Sequence, residues 1–258
     1  ELIISSKAGY EMLPGPNGSG SSLKYLRGSI ESSIKRIGID YLDIFYTHRY
    51  DPHCDLEVLA DNLHYLYNLG LYLYVGISSY PKQELFKLIE FLNERKVPIA
   101  CLQYNISLLS LSNFYLCKEC YEKWGISTLA FSPLNQGILT NSYYYNSKEK
   151  SSRLYEEKTT VHSKDKEIIE GLKKIKKISD DMNLSIEDLS IAFLLSNNFI
   201  CSVAYGPRTK KQILSMKVIQ ENICKLKNNF DLERLIKYSV LSLDQWKTKN
   251  LREKYKII

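Results

Sequence analysis

YLDIFYTHRYDPHCDLEVLADNLHYLYNLGLYLYVGISSY, residues 41–80, contains one full repeat of the pattern on which the fold rests. The run Tyr41–Tyr46 is short, apolar and β-rich, and it gives way to Thr47-His48-Arg49. Asp55–Leu69 carries apolar residues at helical spacing and stops before Gly70, a residue suited to a left-handed cap. A second apolar run, Tyr72–Ile77, gives way to Ser78-Ser79. Runs that are apolar on both faces mark strands buried between layers of helix. Two such strands joined through a helix are read as parallel, because a parallel pair needs a crossover connection.

The same unit recurs on both sides. Further strands are predicted at Leu2–Ser6, Ile99–Gln103, Ser127–Phe131 and Cys201–Tyr205. Helices are predicted at Ser22–Ile37, Pro81–Lys96, Ser112–Trp124, Lys164–Asn183, Ile186–Asn197 and Lys210–Gln220. Pro81 suits a first helical turn, Ser185 with Asp188 resembles a capping box, and Gly38 ends a helix as Gly70 does. This alternation predicts an α/β fold with a parallel sheet. The runner-up is an open doubly wound sheet, but no GxGxxG follows a strand, and GPNGSG (15–20) sits in a long connection. Two connections, Ala8–Ser21 and Asn135–Ser163, are long enough to read as either functional or disordered.

A chain of 258 residues and 29.9 kDa fits one α/β barrel, and with no composition shift along it, residues 1–258 are read as a single domain. Hydrophobic residues at 44% and charged residues at 25% exclude a disordered or coiled-coil chain. No apolar run approaches ~18 residues, so no membrane-crossing helix is expected. The net charge of +6 is modest, and no basic stripe is interleaved with aromatics. The charge alone fits a small anionic molecule as well as it fits nucleic acid, but without such a stripe nucleic acid is not expected as a partner. The six cysteines lie mostly in apolar segments and read as reduced thiols of a cytoplasmic protein. Cys117 and Cys120 form a CxxC without a second pair; core thiols are the plain reading, zinc or redox chemistry the sharper one, and no metal site is expected. The chain begins with Glu and opens directly on an apolar run, so a preceding segment is expected.

In parallel α/β folds, ligands bind at the carboxyl ends of the strands. Those ends carry Ser6-Lys7, Thr47-His48-Arg49, Ser78-Ser79, Gln103, Phe131-Ser132-Pro133 and Gly206-Pro207-Arg208-Thr209. The set offers proton-transfer groups, amide-pairing groups, an aromatic face and an anion site at a helix start. Each residue alone has a plainer reading: a solvated loop Lys, a surface His, a strand-capping Gln, a core Phe, a Gly-Pro turn. Their coincidence on one rim points to a site.

These residues also carry a resemblance. ISSKAGY (4–10), DIFYTHR (43–49), LYVGISSY (73–80), AFSPLNQGILT (130–140) and GPRTKKQI (206–213) together resemble the aldo-keto reductases, from Glu1 to about Leu226. Residues 9–30 are similar to the L-glyceraldehyde 3-phosphate or methylglyoxal reductase branch, which lies near the potassium channel β-subunits. The resemblance implies a (β/α)8 TIM barrel whose first two βα units, with the family's Asp and proton-donating Tyr, are expected ahead of Glu1. It implies NADPH as cofactor and a small carbonyl compound as substrate, with homo-oligomers compatible. Lys7 and His48 are then the catalytic residues. Ser78, Ser79 and Gln103 pair with the nicotinamide carboxamide, and Phe131 stacks on its ring. Ser132, Pro133, Leu134 and Gln136 line the pyrophosphate, Arg153 contacts phosphate, and Gly206, Arg208, Thr209 and Gln212 lie by the adenosine phosphate. Arg49 beside His48 is a candidate for a substrate phosphate, together with the glycines of residues 8–21.

The sequence departs from the family pattern at Ser215 and Met216, where a carboxylate and an amide are usual, and at Asn141-Ser142, where Gly-Lys is usual. Two rival readings therefore stand beside the reductase: a cofactor-binding regulatory protein like the channel β-subunits, and a degenerate barrel without cofactor. Without the Tyr, the 258-residue chain by itself is expected to reduce aldehydes poorly.

Overall fold

The computed structural model describes residues 1–12, 14–109, 111–141, 166–207, 209–210, 212–214 and 219. The elements alternate as the sequence predicts: β1 (Ser5–Ala8), α1 (Leu23–Ile37), β2 (Leu42–Thr47), α2 (Leu56–Asn68), β3 (Tyr72–Ser78), α3 (Lys82–Glu94), β4 (Ile99–Asn105), α4 (Ser112–Trp124), β5 (Thr128–Phe131), α5 (Lys166–Asp181), α6 (Ile186–Leu195) and β6 (Ile200–Ala204). A short 3-10 turn, Asn135–Gly137, follows β5. The strands are hydrogen-bonded in chain order, β1-β2-β3-β4-β5-β6. That order belongs to a singly wound α/β barrel and excludes the doubly wound runner-up.

The boundaries carry the differences. β1 begins at Ser5 rather than Leu2, and Leu2 and Ile3 are exposed. Pairing starts where the Asp43 carboxylate accepts the Ile4 N–H at 2.6 Å, and Ser5 then pairs with Ile44. Apolar character alone does not make a strand where no neighbour supplies the ladder. Lys7 consequently lies inside β1, not after it. β4 runs on past Gln103 to Asn105. Pro81 is the N-cap of α3 rather than a residue of its first turn, with extended backbone and no side-chain cap.

The chain divides into two compact units. The first comprises Glu1–Tyr104 and Cys120–Thr128. Its helices bury one face each: Tyr25, Leu26 and Ile30 on α1, Leu59, Leu63 and Leu66 on α2, Leu85, Leu88 and Leu92 on α3. Ser22 caps α1 by accepting the Tyr25 N–H, and Asp55 caps α2 by accepting from Glu57 and Val58. Gly38, at φ 79°, ends α1 in the left-handed conformation that glycine adopts without strain. β3 and β4 slip register between Val75 and Gly76: Val75 pairs with Ile99 but Gly76 with Cys101, so Ala100 is one residue more than the ladder needs.

The second unit comprises Asn105–Glu119 and Leu129–Ile258. Phe114 stacks on Phe193, with ring centroids 5.6 Å apart, and meets Phe199 edge-on at 4.8 Å. Leu172 and Ile175 of α5 and Leu189, Ala192 and Leu194 of α6 are buried. Ser185 caps α6 by accepting the Asp188 N–H at 3.0 Å. Among the described residues no helix is long and apolar enough to cross a membrane, and no cluster of His, Cys, Asp and Glu could hold a metal ion. Cys117 and Cys120 are buried and neither forms a disulfide.

Candidate active site

Parallel register sets side chains of the first unit in transverse rows. Lys7 pairs with Tyr46, Tyr46 with Gly76 and Gly76 with Cys101. Thr47 pairs with Ile77, so His48 continues beside Ser78, which pairs with Gln103. The backbone N–H of His48 donates to the Ala8 carbonyl at 2.9 Å. Residues two apart along a strand share a face. The row His48–Ser78–Gln103 therefore sits one layer beyond the row Lys7–Tyr46–Gly76–Cys101, on the same face and nearer the carboxyl ends. Lys7, His48, Ser78 and Gln103, picked from the sequence by place and by resemblance, come together here.

The electrostatics follow from burial. Lys7 is half-buried, and desolvation holds its ammonium below the usual lysine range, with Cys101 acting weakly the other way. His48 is half-buried too; desolvation lowers its pKa first, and the positive charges of Lys7 and Arg49 lower it further. Neutral imidazole is the favoured form at pH 7. The Tyr10 ring meets His48 edge-on, centroids 4.6 Å apart, and the Arg49 guanidinium carbon lies over the same Tyr10 ring, 4.6 Å from its centroid. Arg49 also donates from Nε to the Gly9 carbonyl at 3.2 Å.

These contacts belong to a closed loop. Gly20 N–H donates to the Gly9 carbonyl at 3.2 Å, shutting the base, and Met12 N–H donates to Gly18 at 2.8 Å. The Tyr25 hydroxyl donates to the Tyr10 carbonyl and accepts from the Gly9 N–H. The Asp51 carboxylate accepts the Ser21 N–H at 2.9 Å and the His53 N–H at 3.0 Å. A carboxylate of the chain itself thus takes the N–H at the end of the glycine loop, where the sequence suggested an external anion.

At the end of β3, Ser78 is buried and Ser79 is left-handed at φ 60°. Their hydroxyls are 3.3 Å apart. The turn is pinned by Tyr104, whose hydroxyl donates to the Tyr80 carbonyl at 2.7 Å and accepts the Tyr80 N–H at 3.0 Å. The Gln103 side chain is 8% exposed and its amide makes no hydrogen bond among the described residues. Two hydroxyls and an amide so placed match the donor and acceptor pattern of a carboxamide.

In the second unit, Phe131 ends β5 and is half-buried. Ser132, Asn135 and Gln136 are left-handed, at φ 55°, 46° and 60°. Asn135 N–H donates to Ser132 and Gly137 N–H to Leu134, each at 2.9 Å, which coils residues 132–139 into a tight turn around buried Pro133. Thr209 and Gln212 cap each other: Gln212 Oε1 accepts the Thr209 N–H at 3.1 Å, and Thr209 Oγ1 accepts the Gln212 N–H at 3.3 Å. Gly206 is exposed with open space around it. Arg153, Arg208, Ser215 and Met216 lie outside the described residues.

Sequence reasoning missed Tyr10, Tyr25, Asp51 and Tyr46. Tyr46 had a signal, since it stands two residues before His48 and so shares its face. The contacts of the other three depend on how the loop folds back, and no local pattern announces that.

The profile of the Aldo/keto reductase family matches residues 1–234. The chain is 35% identical over 245 residues to the L-glyceraldehyde 3-phosphate reductase of Escherichia coli O157:H7, covering 91% of this chain and 68% of that protein. It is 35% identical over 237 residues to the enzyme of the same name from Escherichia coli K12, covering 88% and 66%. It is 27% identical over 220 residues to a probable voltage-gated potassium channel subunit beta of Arabidopsis thaliana, covering 83% and 66%. The chain thus spans about two thirds of the length of these relatives.

Proposed function

The chain belongs to the aldo/keto reductase family, and from that premise we propose that it serves an NADPH-dependent reduction of small, phosphate-bearing aldehydes or ketones. The observation that carries the reading is the pair of adjacent rows holding Lys7 below His48, Ser78 and Gln103 on one face. When bound, the nicotinamide supplies hydride to the carbonyl carbon. Ser78, Ser79 and Gln103 would hold its carboxamide. Phe131 offers the stacking face, Ser132, Pro133, Leu134 and Gln136 the turn beside the pyrophosphate, and Gly206, Thr209 and Gln212 the adenosine end, with Arg153 and Arg208 as further phosphate contacts.

His48 orients the substrate. Neutral imidazole donates one N–H toward the carbonyl oxygen without setting a second positive charge beside Lys7. Lys7 supplies a fixed positive field that favours the ionised form of a neighbouring phenol, which brings a proton-donating Tyr nearer to working pH. The resemblance gives that Tyr to the family; Lys7 is the part that this chain carries. Arg49 has its Nε on Gly9 and its face on Tyr10, and its terminal nitrogens are the candidates for the substrate's phosphate. L-glyceraldehyde 3-phosphate reductase is the printed activity of the relatives that are 35% identical, which supports a phosphorylated substrate here.

The test is NADPH binding to the full chain, followed by cofactor fluorescence. Saturable binding is expected, and Gln103→Ala should weaken it about 5–30-fold, the scale of one or two lost hydrogen bonds. Absence of binding overturns the reading. The substrate half is tested by comparing glyceraldehyde with its 3-phosphate in wild type and Arg49→Ala. A loss confined to the phosphorylated compound supports the assignment, and equal losses overturn it.

A further inference from the structure

Lys7 is half-buried, and among the described residues Cys101 is the ionisable neighbour that acts to hold its charge. No carboxylate pairs with it among the described residues. What lies against the ammonium is a ring: Lys7 Nζ is 5.0 Å from the centroid of Tyr46. That ring is not a passing surface group. Tyr46 is 2% exposed. It crosses Gly76 so closely that a Cβ there would come within 2.2 Å of two ring carbons. Its hydroxyl reaches Cys101, 3.0 Å from Sγ. The four residues are register partners on four consecutive strands.

We propose that Tyr46 is a positioning residue for Lys7, its ring face serving as a cation platform that Gly76 admits and Cys101 tethers. An aromatic face carries negative quadrupole density and attracts an ammonium, more strongly where water is excluded. The platform therefore favours the charged form of Lys7 against its burial and fixes the ammonium above the sheet, one layer below His48. Gly76 is required because any side chain at that register position occupies the place of the ring. Cys101 holds the far end of the phenol, so the ring cannot swing out from under Lys7. The titratable and charged groups around the ammonium are Tyr46 and Cys101 in its own row, His48 in the next, and Arg49 beyond His48. The functional meaning of the platform rests on the role given to Lys7 above; its existence does not.

The experiment is an NMR titration of the full chain labelled at lysine Cε, with Lys7→Arg to assign the resonance. Tyr46→Leu should lower the Lys7 titration midpoint by about one pH unit, and Tyr46→Phe, which keeps the ring face and loses only the Cys101 tether, should lower it by clearly less. Pentafluorophenylalanine incorporated at position 46 keeps the shape but reverses the quadrupole, and should lower the midpoint as leucine does. That residue also answers the question if the leucine variant does not fold. An unchanged midpoint with pentafluorophenylalanine overturns the proposal, and so does a drop with Tyr46→Phe as large as with leucine. NADPH titration of the same samples separates the two readings. A chain that fails to bind NADPH but shows the expected midpoints loses its proposed function and keeps its platform.

Discussion

His48 is surrounded by reasons not to be protonated: burial first, then the charges of Lys7 and Arg49. Its pKa in the folded chain lies below the unfolded value of about 6.5. The unfolded chain therefore takes up a proton that the folded chain resists, and stability falls as pH drops through 6.5 toward the folded value. Thermal melts at pH 7.5 and pH 5 should show a larger fall in Tm for wild type than for His48→Gln. An equal fall in both would mean that His48 is no more hindered than a free imidazole. Individual residues of the site were legible in the sequence because strand ends are where α/β folds keep their chemistry. Lys7, His48, Ser78 and Gln103 were found near the ends of the apolar runs, and the resemblance gave them their expected roles. What Lys7 rests on was not legible, because the pairing of residue 7 with residue 46 is fixed by a register that no residue on either strand encodes alone.

At the scale of elements, β3 is shaped by a neighbour's ring. Gly76→Ala adds a single methyl group at a point already filled by Tyr46. Crowding of this kind costs about 1–3 kcal/mol, since the ring can yield only by leaving Cys101 or shifting the strand. Denaturant unfolding checks it: a loss below about 0.5 kcal/mol would show that the ring moves freely. Helix limits were legible to within a few residues because the caps are chemical, as at Ser22, Asp55 and Gly38. The start of β1 was not, because Leu2 and Ile3 have the composition of a strand and lack its partner. The loop of residues 9–21 was legible as a long connection with glycines. Its closure by Gly9, Tyr25, Arg49 and Asp51 joins residues as far as 40 positions apart, a distance at which local propensity is silent.

For the whole molecule, the parallel sheet followed from the alternation of strand and helix, but the strand order did not, since a doubly wound sheet alternates in the same way. The division into two compact units had no counterpart in composition: Pro and Gly do not cluster at the crossings. The extra residue in β4 has a consequence for how the chain tolerates loss. Gly76 pairs with Cys101 and Ser78 with Gln103, while Ala100 has no place in the ladder. Deletion of Ala100 should leave both pairings as they are and turn an interrupted ladder into a regular one. Deletion of Leu102, only two codons on, leaves the apolar run nearly as long, but it brings Gln103 into a position that faces the other side of the sheet. The first deletion should yield folded chain that keeps the proposed NADPH binding, and the second should lose it, as expression and fluorescence titration would record. In β4, then, a gene could shed a codon harmlessly at one position and not at the next but one, and the bulge marks which.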